Sequence, residues 1–453
     1  MRIHITFALA VTAAAATVAA PAHGQAFADL KSALVDYSKS DLEPRKACDA
    51  LGQFKSKAIA QIAAVSVPAS ATAPAHCKVS GLLSPEIAFE VSLPAKWNGR
   101  FYMIGNGGHA GENLDDPGRV AQKNEALRLG FAFAQTNTGH DARKEPGASF
   151  VMSNPQKAMS GSGVTPAKLE MVAEKVMNKC DAIDGLKDGL IDDPRKCAFN
   201  PARDVPACSA GADASADCLT AAQADAIAKV YSGPISNGTP FFPGYMPGSE
   251  AVMPTFGGGV GSGWLNVIVA NGANAKPADF NLAENTMRYL VPTPPKPDWD
   301  YTTFNYDTDV HVVEAWSKQA DAKNPDLSKF RKRGGKLLMT YGWADTILQP
   351  MMGVHYYEQA VAKNGPDTTE FFRLFMVPGM AHCGGGVGPD RHDAVTAMIN
   401  WVEKGQAPST MVASRVVNDQ VVRTRPLCPY PQVARYSGTG SIDEASNFKC
   451  VAP

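Results

Sequence analysis

The sequence predicts an α/β fold whose core is split by an inserted cap, and three observations carry that prediction. Short apolar runs ending in glycine-bearing loops occur early, at "GRFYMIGNGGHAG" and "LRLGFAFAQTNTGH", and again late, at "GGKLLMTYGWAD" and "FFRLFMVPGMAHC". This is the strand-to-loop signature of α/β units. Between the two groups the alternation disappears, and Gly- and Pro-rich sequence without a sustained period takes its place.

Taken in order, the chain opens on "MRIHITFALAVTAAAATVAAPAHG". A basic Arg2, an Ala-rich apolar run and a small-x-small end predict a signal peptide over residues 1–24, too short for a membrane span. Residues 25–163 form the first part of the core: a helical stretch, the alternating strand "EIAFEVSLP", then the two strand-to-loop runs. Residues 164–330 form the cap. It begins with the helix "TPAKLEMVAEKVMNKC", which has Pro166 near its start, and continues with "LTAAQADAIAKVYSG", begun by Thr220. Residues 331–453 return to the core and include the amphipathic helix "HDAVTAMINWVEKG". There is no internal repeat.

The 453 residues are 45% hydrophobic and carry a formal charge of -1, enough to bury a large core and without the basic bias of a nucleic-acid partner. No later run is long enough to cross a bilayer. The oligomeric state leaves no trace in the sequence. A signal peptide places the chain in a secreted or periplasmic, oxidising setting, so its nine cysteines read as a disulfide framework. Neighbours pair as Cys48 with Cys77, Cys180 with Cys197, Cys208 with Cys218 and Cys428 with Cys450. Cys383 is left over, as a free reactive thiol, one half of an intermolecular bridge, a cysteine whose partner is missing, or an inert buried residue.

Two groups of residues carry chemistry. Asp345 and His382 each sit on a loop after an apolar strand, in the chain order of the last two members of the Ser-Asp-His triad of an α/β hydrolase. There a carboxylate holds one imidazole nitrogen while the other removes the nucleophile's proton. Taken singly, Asp345 also reads as a helix N-cap and His382 as a turn histidine. The second group is "DAIDGLKDGLIDD", whose Asp181, Asp184 and Asp188 alternate with turn-forming glycines so that oxygens can surround one hard cation, Ca2+. A solvated acidic turn is the alternative. No histidine and cysteine cluster has zinc spacing.

The segments "HCKVSG", "WNGRFYMIGNGGHAG", "CDAIDGLKDGLIDDPRKC", "FMVPGMAHCGGG" and "RPLCPYPQVARYSGTGSIDEASNFKC" resemble the tannase and feruloyl esterase family of secreted α/β hydrolases. The resemblance implies a serine carboxylesterase acting on small aromatic acid esters, with Asp345 as triad acid and His382 as base. It implies an oxyanion site using the backbone amide of Gly107 or Gly108, and a structural calcium to which Leu186 and Leu190 add main-chain carbonyls. In that family a cysteine at the position of Cys383 bridges to one immediately before the catalytic serine. Here the family's nucleophile elbow is absent: only "AMSGSG" joins "SNPQK" to "VTPAKLE", and Ser160 and Ser162 lie in this glycine-rich linker. The missing piece is on the order of 80 to 100 residues, a couple of strand-helix units. An impaired esterase is therefore expected, or else a non-catalytic remnant or binding protein on the same scaffold, in either case with an incomplete central sheet.

Overall fold

In the computed structural model, the described residues are 44–84, 87–107, 110–141, 164–209, 215–251, 253–254, 260–265, 267–269 and 277–453. The signal peptide and the linker with Ser160 and Ser162 lie outside them.

The first part of the core is a five-stranded sheet built from β1 (Ile59–Val67), β2 (His76–Leu83), β3 (Ile87–Pro94), β4 (Phe101–Met103) and β5 (Ala132–Thr136), in the order β1-β2-β3-β5-β4. Neighbours run antiparallel except β4 and β5, which are parallel and joined through α1 (Pro117–Arg128). Asp116 starts α1 by accepting from the amides of Gly118 and Arg119, and Pro117 fits the first turn, where its missing N–H loses nothing. β1 and β2 occupy sequence where only a helical stretch is expected. Their Ala, Ser and Gly content hides the alternation that a two-faced strand would show.

The cap contains the two expected helices. α2 (Pro166–Cys180) is capped by Thr165, and α3 (Ala221–Ser232) opens on a reciprocal capping box between Thr220 and Gln223. Leu169, Val172 and Val176 of α2 pack with Ile227 of α3 and the fully buried Trp264 in a core of their own.

The returning core supplies β6 (Leu337–Gly342), α4 (Pro350–Asn364), β7 (Phe372–Val377) and α5 (Ala394–Lys404). β6 and β7 pair in parallel from Leu337↔Phe372 to Gly342↔Val377. Val354, Tyr357 and Ala360 of α4 cover this pair. Two antiparallel hairpins follow, β8 (Met411–Val417) with β9 (Gln420–Leu427) and β10 (Val433–Tyr436) with β11 (Phe448–Val451).

The central sheet is in two pieces. Among the described residues β4 is an edge strand of the five-stranded sheet, and β6 and β7 form a separate two-stranded sheet. On the edge strand β4, the apolar Phe101 and Met103 are 59% and 54% exposed. The pieces are held by α5, whose Ile399 packs on Phe131 and Phe133 of the first piece, and by a bidentate pair from Arg100 to Glu403 at 2.7 and 2.8 Å.

An open edge with exposed apolar side chains is an association hazard. Met103→Lys is expected to raise the monomeric fraction in size-exclusion chromatography while changing the unfolding free energy by only about 0.5 kcal/mol. An unchanged or lower monomer fraction would mean that this edge is not sticky.

Candidate active site

The parallel pairing of β6 and β7 brings two loops to the same end of both strands. Trp343 donates its amide to the Val377 carbonyl at 2.9 Å, and Ala344 to Met380 at 3.0 Å, so the loops are laced together immediately beyond the strands. Gly342 is required here by close approach, since a Cβ would stand 2.2 Å from the Met380 oxygen.

Asp345 and His382 meet across this lacing. His382 Nδ1 lies 2.9 Å from Asp345 Oδ2 and 3.1 Å from Oδ1. A carboxylate oxygen only accepts, so Nδ1 carries the proton and Nε2 is left as the basic nitrogen. The Asp345 side chain is 5% exposed, and its Oδ1 also accepts from the amides of Ile347 and Leu348 at 2.9 Å each. Asp345 is not the N-cap of α4, which starts at Pro350 after Gln349; its carboxylate instead holds the bend at Ile347 and Leu348 together with the histidine. The His382 side chain remains one-third exposed, open to a substrate.

The loop beyond His382 folds back through glycines. Gly385 and Gly386 have φ of 71° and 87°, and Met380 bridges to Gly386. Asp390 accepts from the Gly385 amide at 2.7 Å, and Arg415 of β8 donates to the Gly386 carbonyl at 2.8 Å. Cys383 is a free, exposed thiol at φ 41°. Partial desolvation and the Asp345 charge push this thiol above its ordinary pKa, so it is a poor nucleophile despite its neighbours.

The oxyanion candidates are placed less favourably. Gly107 donates its amide to Glu112 Oε1 at 2.7 Å, and Glu112 pairs with Arg119 at 3.2 Å. Gly108 lies outside the described residues.

All four expected disulfides form: Cys48–Cys77, Cys180–Cys197, Cys208–Cys218 and Cys428–Cys450. The Cys180–Cys197 bridge closes the acidic loop. Within that loop Asp181 Oδ1 accepts from the amides of Asp188 and Gly189 at 3.1 and 2.9 Å, and Asp184 Oδ1 accepts from Leu186 at 2.9 Å. Asp188 Oδ1 accepts from Leu190 at 3.2 Å, while its Oδ2 pairs with Arg425. Sequence reasoning passed over Asp192, although it stands in the same acidic run. Burial, reinforced by the charges of Asp184 and Asp188, pushes its carboxyl up to about 8. Three carboxylates therefore crowd one another, which suits a hard cation. Among the described residues, however, no three acidic, histidine or cysteine side chains converge as a finished ligand shell.

This geometry belongs to a class of α/β hydrolases with a cap. The profile described as "Tannase and feruloyl esterase" matches residues 71–162 and 159–451, and the chain belongs to that family of carboxylic ester hydrolases. The two matched stretches meet inside "AMSGSG". The chain is 28% identical to mono(2-hydroxyethyl) terephthalate hydrolase of Piscinibacter sakaiensis over 562 aligned positions, covering 91% of this chain and 92% of that protein. An alignment longer than the 453 residues available contains positions this chain does not fill. It is 31% identical to an uncharacterized esterase of Xanthomonas campestris over 83% of this chain and 84% of that one. Feruloyl esterase B from Aspergillus oryzae superimposes with a TM-score of 0.70 at 23% identity, over 89% of this chain and 99% of that chain.

Two outcomes test the site. A thiol reagent applied to the folded protein is expected to label one residue, with labelling abolished in Cys383→Ser; additional labelled thiols would contradict the pairing. Asp188 and Arg425 are 2% and 3% exposed, so Arg425→Ala leaves a buried carboxylate unpaired. It is expected to lower the unfolding free energy by about 3–5 kcal/mol in urea titrations.

Proposed function

We propose that this chain is a carboxylic ester hydrolase scaffold for aromatic acid esters that keeps the acid and base of a serine triad but lacks the serine, and is therefore strongly impaired. The observation that carries the reading is the Asp345–His382 pair at the ends of β6 and β7. The separation of β6 and β7 from the five-stranded sheet, the unpaired Cys383 and the two-part family match support the loss of the nucleophile segment.

The chemistry follows from what remains. Asp345 fixes the His382 tautomer and stabilises the imidazolium that forms on proton transfer. With no serine on an elbow, the attacking oxygen is water. His382 Nε2 takes its proton as the oxygen adds to the ester carbonyl, then returns a proton to the departing alkoxide. Half of the oxyanion site would come from the amide of Gly107, once Glu112 releases it, or from that of Gly108. Losing one triad member leaves a residual enhancement of about 10³–10⁴ over water, far below an intact enzyme. Ser160 and Ser162 sit in a linker with no elbow around them and are not assigned as nucleophiles. A binding protein on the same scaffold is the second reading, favoured by the same absent nucleophile.

Purified protein incubated with a chromogenic aryl ester and an active-site phosphonate is expected to turn over slowly and to take up no covalent label. His382→Ala should remove the residual turnover. Stoichiometric phosphonylation of a serine would overturn the proposal, and the absence of any His382-dependent turnover would favour the binding reading.

Calcium at the acidic loop belongs to the same proposal, as a structural ion near Asp184, Asp188 and Asp192, with Leu186 and Leu190 carbonyls and the second oxygen of Asp181 within the same loop. It neutralises clustered carboxylates and takes no part in the chemical step. A chelator is expected to lower the Tm by several degrees, with recovery on adding calcium but not magnesium; an unchanged Tm would argue against the ion. Export to an oxidising compartment is also part of the reading, and the four disulfides support it.

A further inference from the structure

A cavity lies away from the catalytic pair. It measures about 1010 Å³, near the upper end of ordinary small-molecule sites. It sits at the N-terminal ends of β4 and β5, where Phe101 and Ala132 begin those strands, and the Cys48–Cys77 disulfide helps to wall it. Asp345 and His382 follow the C-terminal ends of β6 and β7, and neither of their loops contributes to its lining.

The lining is chemically specific. Val67, Leu93, Trp97 and Phe101 give an apolar wall with two aromatic rings, and the exposure of Phe101 is in part exposure beside this space. Among the described residues, the charged ones at the cavity are Arg45 and Lys46, and none of the lining side chains is a carboxylate. His76 is 8% exposed, and its Nδ1 lies 2.9 Å from the Pro74 carbonyl. A carbonyl only accepts, so Nδ1 holds the proton and Nε2 is an acceptor that makes no hydrogen bond to a described residue. This nitrogen belongs to a side chain that lines the cavity, so it can accept from a ligand donor as well as from water.

We propose that this cavity binds an aromatic acid bearing a hydroxyl group: the ring lies against Trp97 and Phe101, the hydroxyl donates to His76 Nε2, and the carboxylate meets Arg45 and Lys46. The site is independent of the reading of the catalytic pair. Aromatic surface supplies most of the binding, and the two cations set the preference for an anion, a contribution that salt screens at an exposed rim.

The test uses the full chain and 4-hydroxyphenylpropionate, followed by tryptophan fluorescence and calorimetry. Saturable binding is expected, with the fluorescence change lost in Trp97→Phe. The methyl ester, which lacks the charge, and 3-phenylpropionate, which lacks the hydroxyl, should each bind about tenfold more weakly. The double variant Arg45→Glu, Lys46→Glu changes exposed residues and should weaken the acid by tenfold or more without changing the Tm. His76→Phe should bring the hydroxylated acid down to the affinity of 3-phenylpropionate, and His382→Ala should change nothing. The proposal is overturned if the full chain binds no acid, as it would were the cavity filled by the residues preceding Pro44. Binding that responds to His382→Ala and ignores Arg45 and Lys46 would equally overturn it, by locating the ligand at the catalytic loops.

Discussion

The parallel register of β6 and β7 is the constraint on which the site depends. Because Gly342 and Val377 are opposite one another, the two following loops leave the sheet at the same level, and the amides of Trp343 and Ala344 can lace them together. A shift of one residue would turn every side chain to the other face. It would also break the approach of Met380 to Gly342, a contact that only glycine permits. The distance between Asp345 and His382 is thus a consequence of strand pairing rather than of loop chemistry. The pair therefore rests on the β6–β7 pairing alone and not on the five-stranded sheet.

The interruption has its own logic. An inner strand of an α/β sheet carries hydrogen bonds on both edges and apolar cover on both faces, so its loss exposes both kinds of surface at once. Phe101 and Met103 are exposed on the edge strand β4, and β6 and β7 stand as a separate two-stranded sheet, both consistent with the proposed loss. What joins the pieces is a helix from the far end of the chain. Ile399 of α5 buries itself against Phe131 and Phe133, and the pair between Arg100 and Glu403 spans 303 residues of sequence. Burial of one aliphatic side chain contributes about 1.5–3 kcal/mol, and an ion pair half open to solvent contributes less than about 1 kcal/mol. The helix contact therefore does most of the joining.

Legibility in the sequence tracked how local the governing physics was. The helix starts at Thr165 and Thr220 were readable because a cap is written within four residues. Asp345 and His382 were readable because each follows a strongly apolar strand. The four disulfides could be read because neighbours paired, as shown from Cys48–Cys77 to Cys428–Cys450. β1 and β2 were not, since "IAQIAAVSV" and "HCKVSGLL" mix small residues that suit either structure until tertiary pairing decides. Asp192 escaped because its importance comes from burial beside Asp184 and Asp188, which no spacing rule encodes. Glu112 escaped likewise: a carboxylate five residues past Gly107 gives no sign that it will take that amide.

The acidic loop and the catalytic loops are mechanically connected, although they lie in different parts of the chain. Arg195 sits inside the loop closed by Cys180–Cys197 and is held by Asp193 at 2.7 Å. Its guanidinium stacks 5.3 Å from the ring of Trp343 and 5.2 Å from that of Tyr430, and donates to the Tyr430 hydroxyl at 2.7 Å. Trp343 stands two residues before Asp345. On the other side of the loop, Arg423 donates to the Asp188 carbonyl at 2.9 Å, Arg425 pairs with the Asp188 carboxylate, and Arg435 donates to the Asp184 carbonyl at 3.1 Å. Removing one partner from such a buried network leaves an uncompensated charge, so the network behaves as a register pin more than as a source of net stability. The acidic loop is pinned by arginines of the C-terminal hairpins and in turn presses Arg195 against Trp343. The acidic loop thus packs, through Arg195, against Trp343 on the strand-end loop that also carries Asp345.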